Sequence, residues 1–225
     1  VRFKPKNNFA TELLIAINQT FGNHLSIIHA DGLQFPADIK AQQNDFYYIP
    51  SYKINYALFS LLISDGSLVV VKNTLDATYE GWDSFKRIPL QILGILKSKD
   101  RISDIHRFSL KYTNLIQTKS ALKDLNLSLK IDNEDLQENA KLTLRTEIRD
   151  NGFVSLTDIS SDVELENISD VSGEVRRLSG ALFIIDVINN NGIYDFQNAD
   201  AEFSEGLEVL HNKANQIYSK IYKEQ

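Results

Sequence analysis

The chain has 225 residues, 43% hydrophobic and 24% charged, with a formal net charge of -6, the proportions of a globular protein with enough apolar material for a sizeable core. It holds no cysteine, which excludes disulfides, thiolate nucleophiles and cysteine-ligated zinc or iron–sulfur centres. No apolar run approaches the roughly 20 residues of a membrane helix, and VRFKPKNNFATELLIAINQTF at the start lacks a secretory apolar segment, so the expectation is a cytoplasmic protein with no membrane contact.

In chain order, Phe9 to Phe21 mixes apolar and β-branched residues and reads as either a strand or a short helix. From Asp45 to Asn73 the pattern predicts two or three strands, with Asp65-Gly66 supplying the positive backbone angles of a tight hairpin turn and Pro50 marking a strand break or an edge. Trp82, Phe85, Leu93 and Leu96 then recur at helical spacing, ending near Lys97, Lys99 and Arg101. Pro89 either kinks that helix or opens a second one.

Residues 107 to 116, RFSLKYTNLI, alternate as a strand. Phe108, Leu110, Tyr112, Asn114 and Ile116 share the face expected to meet the core, and Arg107, Ser109, Lys111 and Thr113 share the other. Tyr112 and Asn114 thereby bring a hydroxyl and a carboxamide into an apolar layer, where an unsatisfied group costs about 1–3 kcal/mol. They read either as a satisfied network that fixes register or as the polar floor of a pocket.

Residues 118 to 138 are polar and weakly periodic, a short helix or loop. Three strands follow, Lys141 to Arg149, Phe153 to Glu164 and Leu178 to Asn189, with Asn151-Gly152 joining the first pair and the polar stretch ENISDVSGEVRR joining the second. Phe203, Leu207, Leu210, Ala214, Ile217 and Ile221 make the stripe of a long amphipathic helix. The expected fold is therefore α+β, with antiparallel β-meanders each followed by an amphipathic helix and with the outline of a two-fold internal pseudo-repeat. Residues 1–117 and 118–225 read as N-terminal and C-terminal halves of one compact unit. The absence of methionine leads to the expectation of a fragment, a mature product or a chain with some residues missing.

The charge is unevenly spread. Residues 1 to 131 carry 16 Lys+Arg and 11 Asp+Glu, a net +5, whereas residues 132 to 210 carry 5 and 18, a net -13. The acidic segment can steer a basic partner and the basic one an anion. Residues 97 to 130 hold eight Lys+Arg against three Asp, with Phe108 and Tyr112 interleaved, a composition also found where single strands of nucleic acid are held.

Signatures of catalysis are sparse. The glycine-rich phosphate loops and the Gly-x-Ser-x-Gly elbow do not occur. His24, His29, His106 and His211 make no paired metal motif, and DVINNNGIYD from Asp186 has the wrong spacing for a calcium loop. The expectation is no metal and no cofactor. His211, one position off the apolar stripe, is placed to hydrogen-bond the Tyr112 and Asn114 pair. An acid–base group of Tyr112, Asn114 and His211 would lack a nucleophile.

The order TYEGWDSF, RFSLKYTNLI, an apolar strand ending in an Asp-containing turn, and EVLHNKANQIYSKIY resembles a sporadically distributed, uncharacterised family of bacterial and archaeal proteins. That family is marked by an Arg-Ile-Gly-Leu-Arg-Tyr-Ile-Asn-like strand and a C-terminal Leu-His helix. The resemblance implies Tyr79, Trp82, Arg107, Tyr112, Asn114 and His211 as family-marking positions, with Lys111 standing where an arginine is usual. It implies carriage on mobile elements, in defence or toxin–antitoxin settings, and supplies no accepted enzyme activity. The leading expectation is a non-catalytic accessory or immunity component that binds a protein through segment 132–210. The alternative is a sensor of an anion, a nucleotide or single-stranded nucleic acid, with Arg107 and Lys111 as its contacts.

Overall fold

The computed structural model describes residues 1–4, 7–72, 79–99, 102–117, 125–126, 130–131, 134–135, 140–168 and 175–222, with the backbone alone described at 130, 131, 134, 135, 167 and 168. The fold is α+β, with antiparallel sheets and amphipathic helices. Its chain divides into two compact units, one drawn mainly from Val1–Phe108 and Gly192–Ser204, the other from Ser109–Ile168, Glu174–Asn191 and Glu205–Gln225. The first transition falls inside a continuous strand, between Phe108 and Ser109.

The first unit contains β1 (Arg2–Phe3), α1 (Phe9–Phe21), β2 (Ser26–His29), α2 (Ala37–Gln42), β3 (Tyr52–Asn55), β4 (Ser60–Ile63), β5 (Leu68–Val71) and α3 (Trp82–Ser98). It also holds the first residues of β6 (Ile105–Ile116) and of α4 (Asp200–Ile221). The ambiguous segment 9–21 is helical because Phe9, Leu13, Ala16 and Ile17 then fall on one buried face. It stops at Gly22, whose N–H still donates to Asn18 O at 3.0 Å while its positive φ of 55° turns the following chain out of the helix. Strands β2 to β5 form an antiparallel meander in sequence order. Pro50 lies just before β3, and Pro89 sits inside α3, which continues as one helix.

The turn between β4 and β5 differs from the sequence expectation. Neither Asp65 nor Gly66 has a positive φ. Ser64 shapes the corner instead: its Oγ accepts the Ser67 N–H at 2.8 Å, and its own N–H donates to Ser67 O at 2.9 Å. Asp65 is thereby turned inward, where Oδ1 accepts the Ala10 N–H at 2.9 Å and Oδ2 accepts from Lys40 Nζ at 2.7 Å. The N-cap position of α1, Asn8, makes no side-chain cap, so a carboxylate 55 residues away performs that task.

The second unit contains β6 from Ser109 onward, β7 (Lys130–Ile131), β8 (Glu134–Asp135), β9 (Thr143–Asp150), β10 (Phe153–Ile168), β11 (Val175–Asn189) and α4 from Glu205 onward. Within 118–138, expected as a helix or loop, the described residues include the antiparallel β7–β8 pair; most of that stretch lies outside the described residues. Asn151 and Gly152, with φ of 47° and 82°, close the β9–β10 hairpin as expected. The β10–β11 ladder runs on to Ile168↔Val175, so both flanks of ENISDVSGEVRR are strand and not connection. The two meanders are built differently, with strands of 4 residues in β2 to β5 against 8, 16 and 15 in β9 to β11, and a pseudo-repeat is not established. Leu125, Ile159, Ala181 and Phe183 form a buried cluster, with Ile116, Leu144, Ile221 and Tyr222 packed against it. On α4, Phe203, Leu207, Leu210 and Ala214 are buried, the front of the expected stripe.

Candidate functional site

Strand β6 places its side chains as the alternation requires. Phe108 and Leu110 are buried, Tyr112, Asn114 and Ile116 are half-buried on the same face, and Ser109, Lys111 and Thr113 are exposed. Tyr112 Oη lies 2.6 Å from His211 Nδ1, and Asn215 Nδ2 lies 3.0 Å from His211 Nε2. One ring nitrogen thus meets the tyrosine hydroxyl and the other the Asn215 amide, so both nitrogens of His211 are engaged. The polar group that forms is Tyr112–His211–Asn215; Asn114 stands two residues further along β6, half-buried. Sequence reasoning misses Asn215, although it stands four residues after His211, the spacing that puts two helix residues side by side. Tyr112→Phe is expected to cost about 1 kcal/mol in urea unfolding, the net worth of one hydrogen bond.

Arg107 does not share the exposure of Lys111. It is half-buried and faces Arg2 across the β1–β6 pair. The Arg2 guanidinium sits 4.5 Å from the centre of the Tyr48 ring. Burial and then the charge of Arg107 lower its pKa, while Tyr48 and Asp45 raise it. Two like charges held opposite each other on a sheet are mutually unfavourable, and an anion between them would relieve that. Arg2 escapes a sequence reading because antiparallel pairing of residues 105 apart has no local signature.

Tyr79 and Trp82 belong to the first unit. Trp82 begins α3 half-buried, its ring 6.2 Å from that of Phe85. Tyr79 lines an open cleft of about 240 Å³ together with Phe21, Phe59, Lys72, Glu80, Ser84 and Gln91. Nearby in sequence to the cleft wall, Tyr56 stacks on Phe59 at 4.8 Å, and its buried hydroxyl has no hydrogen-bond partner among the described residues. Burial raises the pKa of both Tyr56 and Tyr79 above the usual 10.0. Because the folded value is the higher one, this contribution to stability is complete below the unfolded pKa and is lost as pH rises through the folded pKa. An ultraviolet titration is expected to show late-ionising tyrosines, one of which disappears in Tyr79→Phe.

The remaining histidines are engaged locally, His24 with Asn18 at 2.7 Å, His29 edge-on to Tyr52, and His106 with its Nε2 3.4 Å from Asp104 Oδ1. Among the described residues no group of three or more histidine or acidic side chains is placed to hold a metal ion, and no helix is long and apolar enough to cross a membrane. In the acidic segment, Asp158, Asp162 and Glu166 pair with Arg145, Lys141 and Arg177, and Glu147 with Arg149. Ile148 and Val175 are exposed on the same strands, at 63% and 53%. Comparison with family models, curated proteins and solved structures finds no match.

Proposed function

We propose that this chain is a non-catalytic protein-interaction component that binds a basic partner through the acidic sheet of its second unit. Following the resemblance, it would serve as an accessory or immunity protein of a mobile-element or defence-type locus, acting in the cytoplasm. The observation that carries the reading is the outer part of β10, where Asp162, Glu164 and Glu166 are all exposed within the segment of net charge -13, with the exposed apolar Val175 paired opposite Ile168 just beyond them. Charge steers the encounter, and the apolar side chain beside it adds contact area. The combined substitution Asp162→Asn, Glu164→Gln and Glu166→Gln should abolish capture of the native partner while circular dichroism stays unchanged. Full retention of the partner by that variant would refute the proposal.

A second reading is favoured by one observation, the Arg2↔Arg107 juxtaposition. In this reading the protein senses an anion, a nucleotide or single-stranded nucleic acid at the first unit. Binding should weaken steeply with salt and fall in Arg107→Ala. Salt-independent binding would count against it.

A further inference from the structure

We propose that the outer edge of β9 pairs antiparallel with β9 of a second copy of this chain, forming a two-fold symmetric dimer. β9 is the last strand in its sheet, and among the described residues only β10 pairs with it. Seven of its eight residues are exposed. Which backbone groups face outward follows from the register. Ser161 N–H donates to Leu142 O at 2.9 Å, and hydrogen-bonded pairs alternate along an antiparallel ladder. Leu144, Thr146, Ile148 and Asp150 therefore exchange bonds with β10. The N–H and C=O groups of Thr143, Arg145, Glu147 and Arg149 point away from the sheet, a row of donors and acceptors that has no strand partner among the described residues and templates another strand.

The sequence of β9, TLRTEIRD, is self-complementary in one full-length register. With Thr146 opposite Thr146 of the second copy, Arg145 meets Glu147 in both directions, Leu144 meets Ile148, and Thr143 meets Arg149. Arg145 and Glu147, whose backbone groups point outward, then form hydrogen-bonded pairs of opposite charge. Leu144 and Ile148 form the closer, non-hydrogen-bonded pairs, covering the side chain that is 63% exposed in the single chain. Centring the contact on Arg145 or Glu147 instead would set like charges opposite each other, which opposes pairing. A charged edge protects a monomer when its charges share a sign; here the signs alternate along the outward row, and the same residues select a partner and a register. An isologous contact of this kind closes at two copies and does not propagate.

The test combines sedimentation velocity over a concentration series with substitutions at exposed positions. The unaltered chain should show a concentration-dependent monomer–dimer equilibrium. Arg145→Glu sets a carboxylate against Glu147 at both symmetry-related pairs and should weaken the dimer about tenfold or more. Arg145→Glu combined with Glu147→Arg restores opposite charges and should restore dimerisation. Because the chain has no cysteine, Thr146→Cys supplies a single thiol. At the symmetry axis its Cα–Cα separation would be about 4.5 Å, within disulfide reach, and mild oxidation should give a covalent dimer. Ile148→Cys, opposite Leu144, should not crosslink. A chain that stays monomeric at all concentrations, a double reversal that fails to rescue, or crosslinking through position 148 in place of 146 would overturn the proposal.

Discussion

Lys40→Met is expected to destabilise the first unit by about 3–5 kcal/mol, the usual cost of leaving one member of a buried ion pair alone. Both side chains are nearly sealed from solvent, at 8% and 6% exposure, with Nζ and Oδ2 2.7 Å apart. Asp65 also accepts the Ala10 N–H in the first turn of α1, where the helix dipole favours a negative group. Removing the ammonium leaves that buried carboxylate with one neutral donor. The double variant Lys40→Met with Asp65→Asn should recover most of the loss, because a carboxamide oxygen still accepts from Ala10 without carrying a charge. Chemical unfolding of the two variants, compared with Asp65→Asn alone, measures the coupling directly.

Gly180→Val is expected to cost about 3 kcal/mol, from steric overlap and from a backbone conformation that side chains resist. Gly180 has φ of 155°, and a Cβ there would collide with the carbonyl oxygen of Ile116 on β6. The close approach coincides with an irregularity in β10, where the pairs Ser160↔Leu182 and Val163↔Gly180 leave an extra residue on the β10 side. Ser161, at that bulge, ties β10 to Leu142 through both its N–H and its Oγ, which accepts the Leu142 N–H at 2.7 Å. A bulge bends its strand, and this one lies just past Ile159 of the Leu125, Ile159, Ala181 and Phe183 cluster. Urea unfolding followed by circular dichroism reads the loss. Gly180→Ala should show a large part of it, since the overlap begins at Cβ.

What the sequence reveals depends on the range of the interaction concerned. The stripe of α4 and the Asn151-Gly152 turn are legible because a helical period and a left-handed dipeptide are local signals. Asp65-Gly66 has the same look, yet Asp65 is held by Lys40 and Ala10, partners that no local pattern announces. β2 and α2, with four and six residues, are too short for their periodicity to stand out. At the candidate sites, the alternation of β6 correctly puts Tyr112 on the face toward His211. The joining of Arg2 to Arg107 and the presence of Asn215, in place of Asn114, beside His211 depend on tertiary placement. The order of elements does not encode which face of β9 carries open hydrogen-bonding groups; the parity of its ladder with β10 does.

Binding of another protein through the acidic sheet is tested most directly by mass spectrometry of what co-purifies with this chain from its native source. Proteins, nucleotides and nucleic acid would be measured in one sample, in parallel with the Asp162→Asn, Glu164→Gln, Glu166→Gln variant. A stoichiometric basic protein that is present with the unaltered chain and absent with the variant is the predicted result. Nucleotide or nucleic acid in stoichiometric amount, without any protein partner, would contradict it and move the functional site to Arg2 and Arg107.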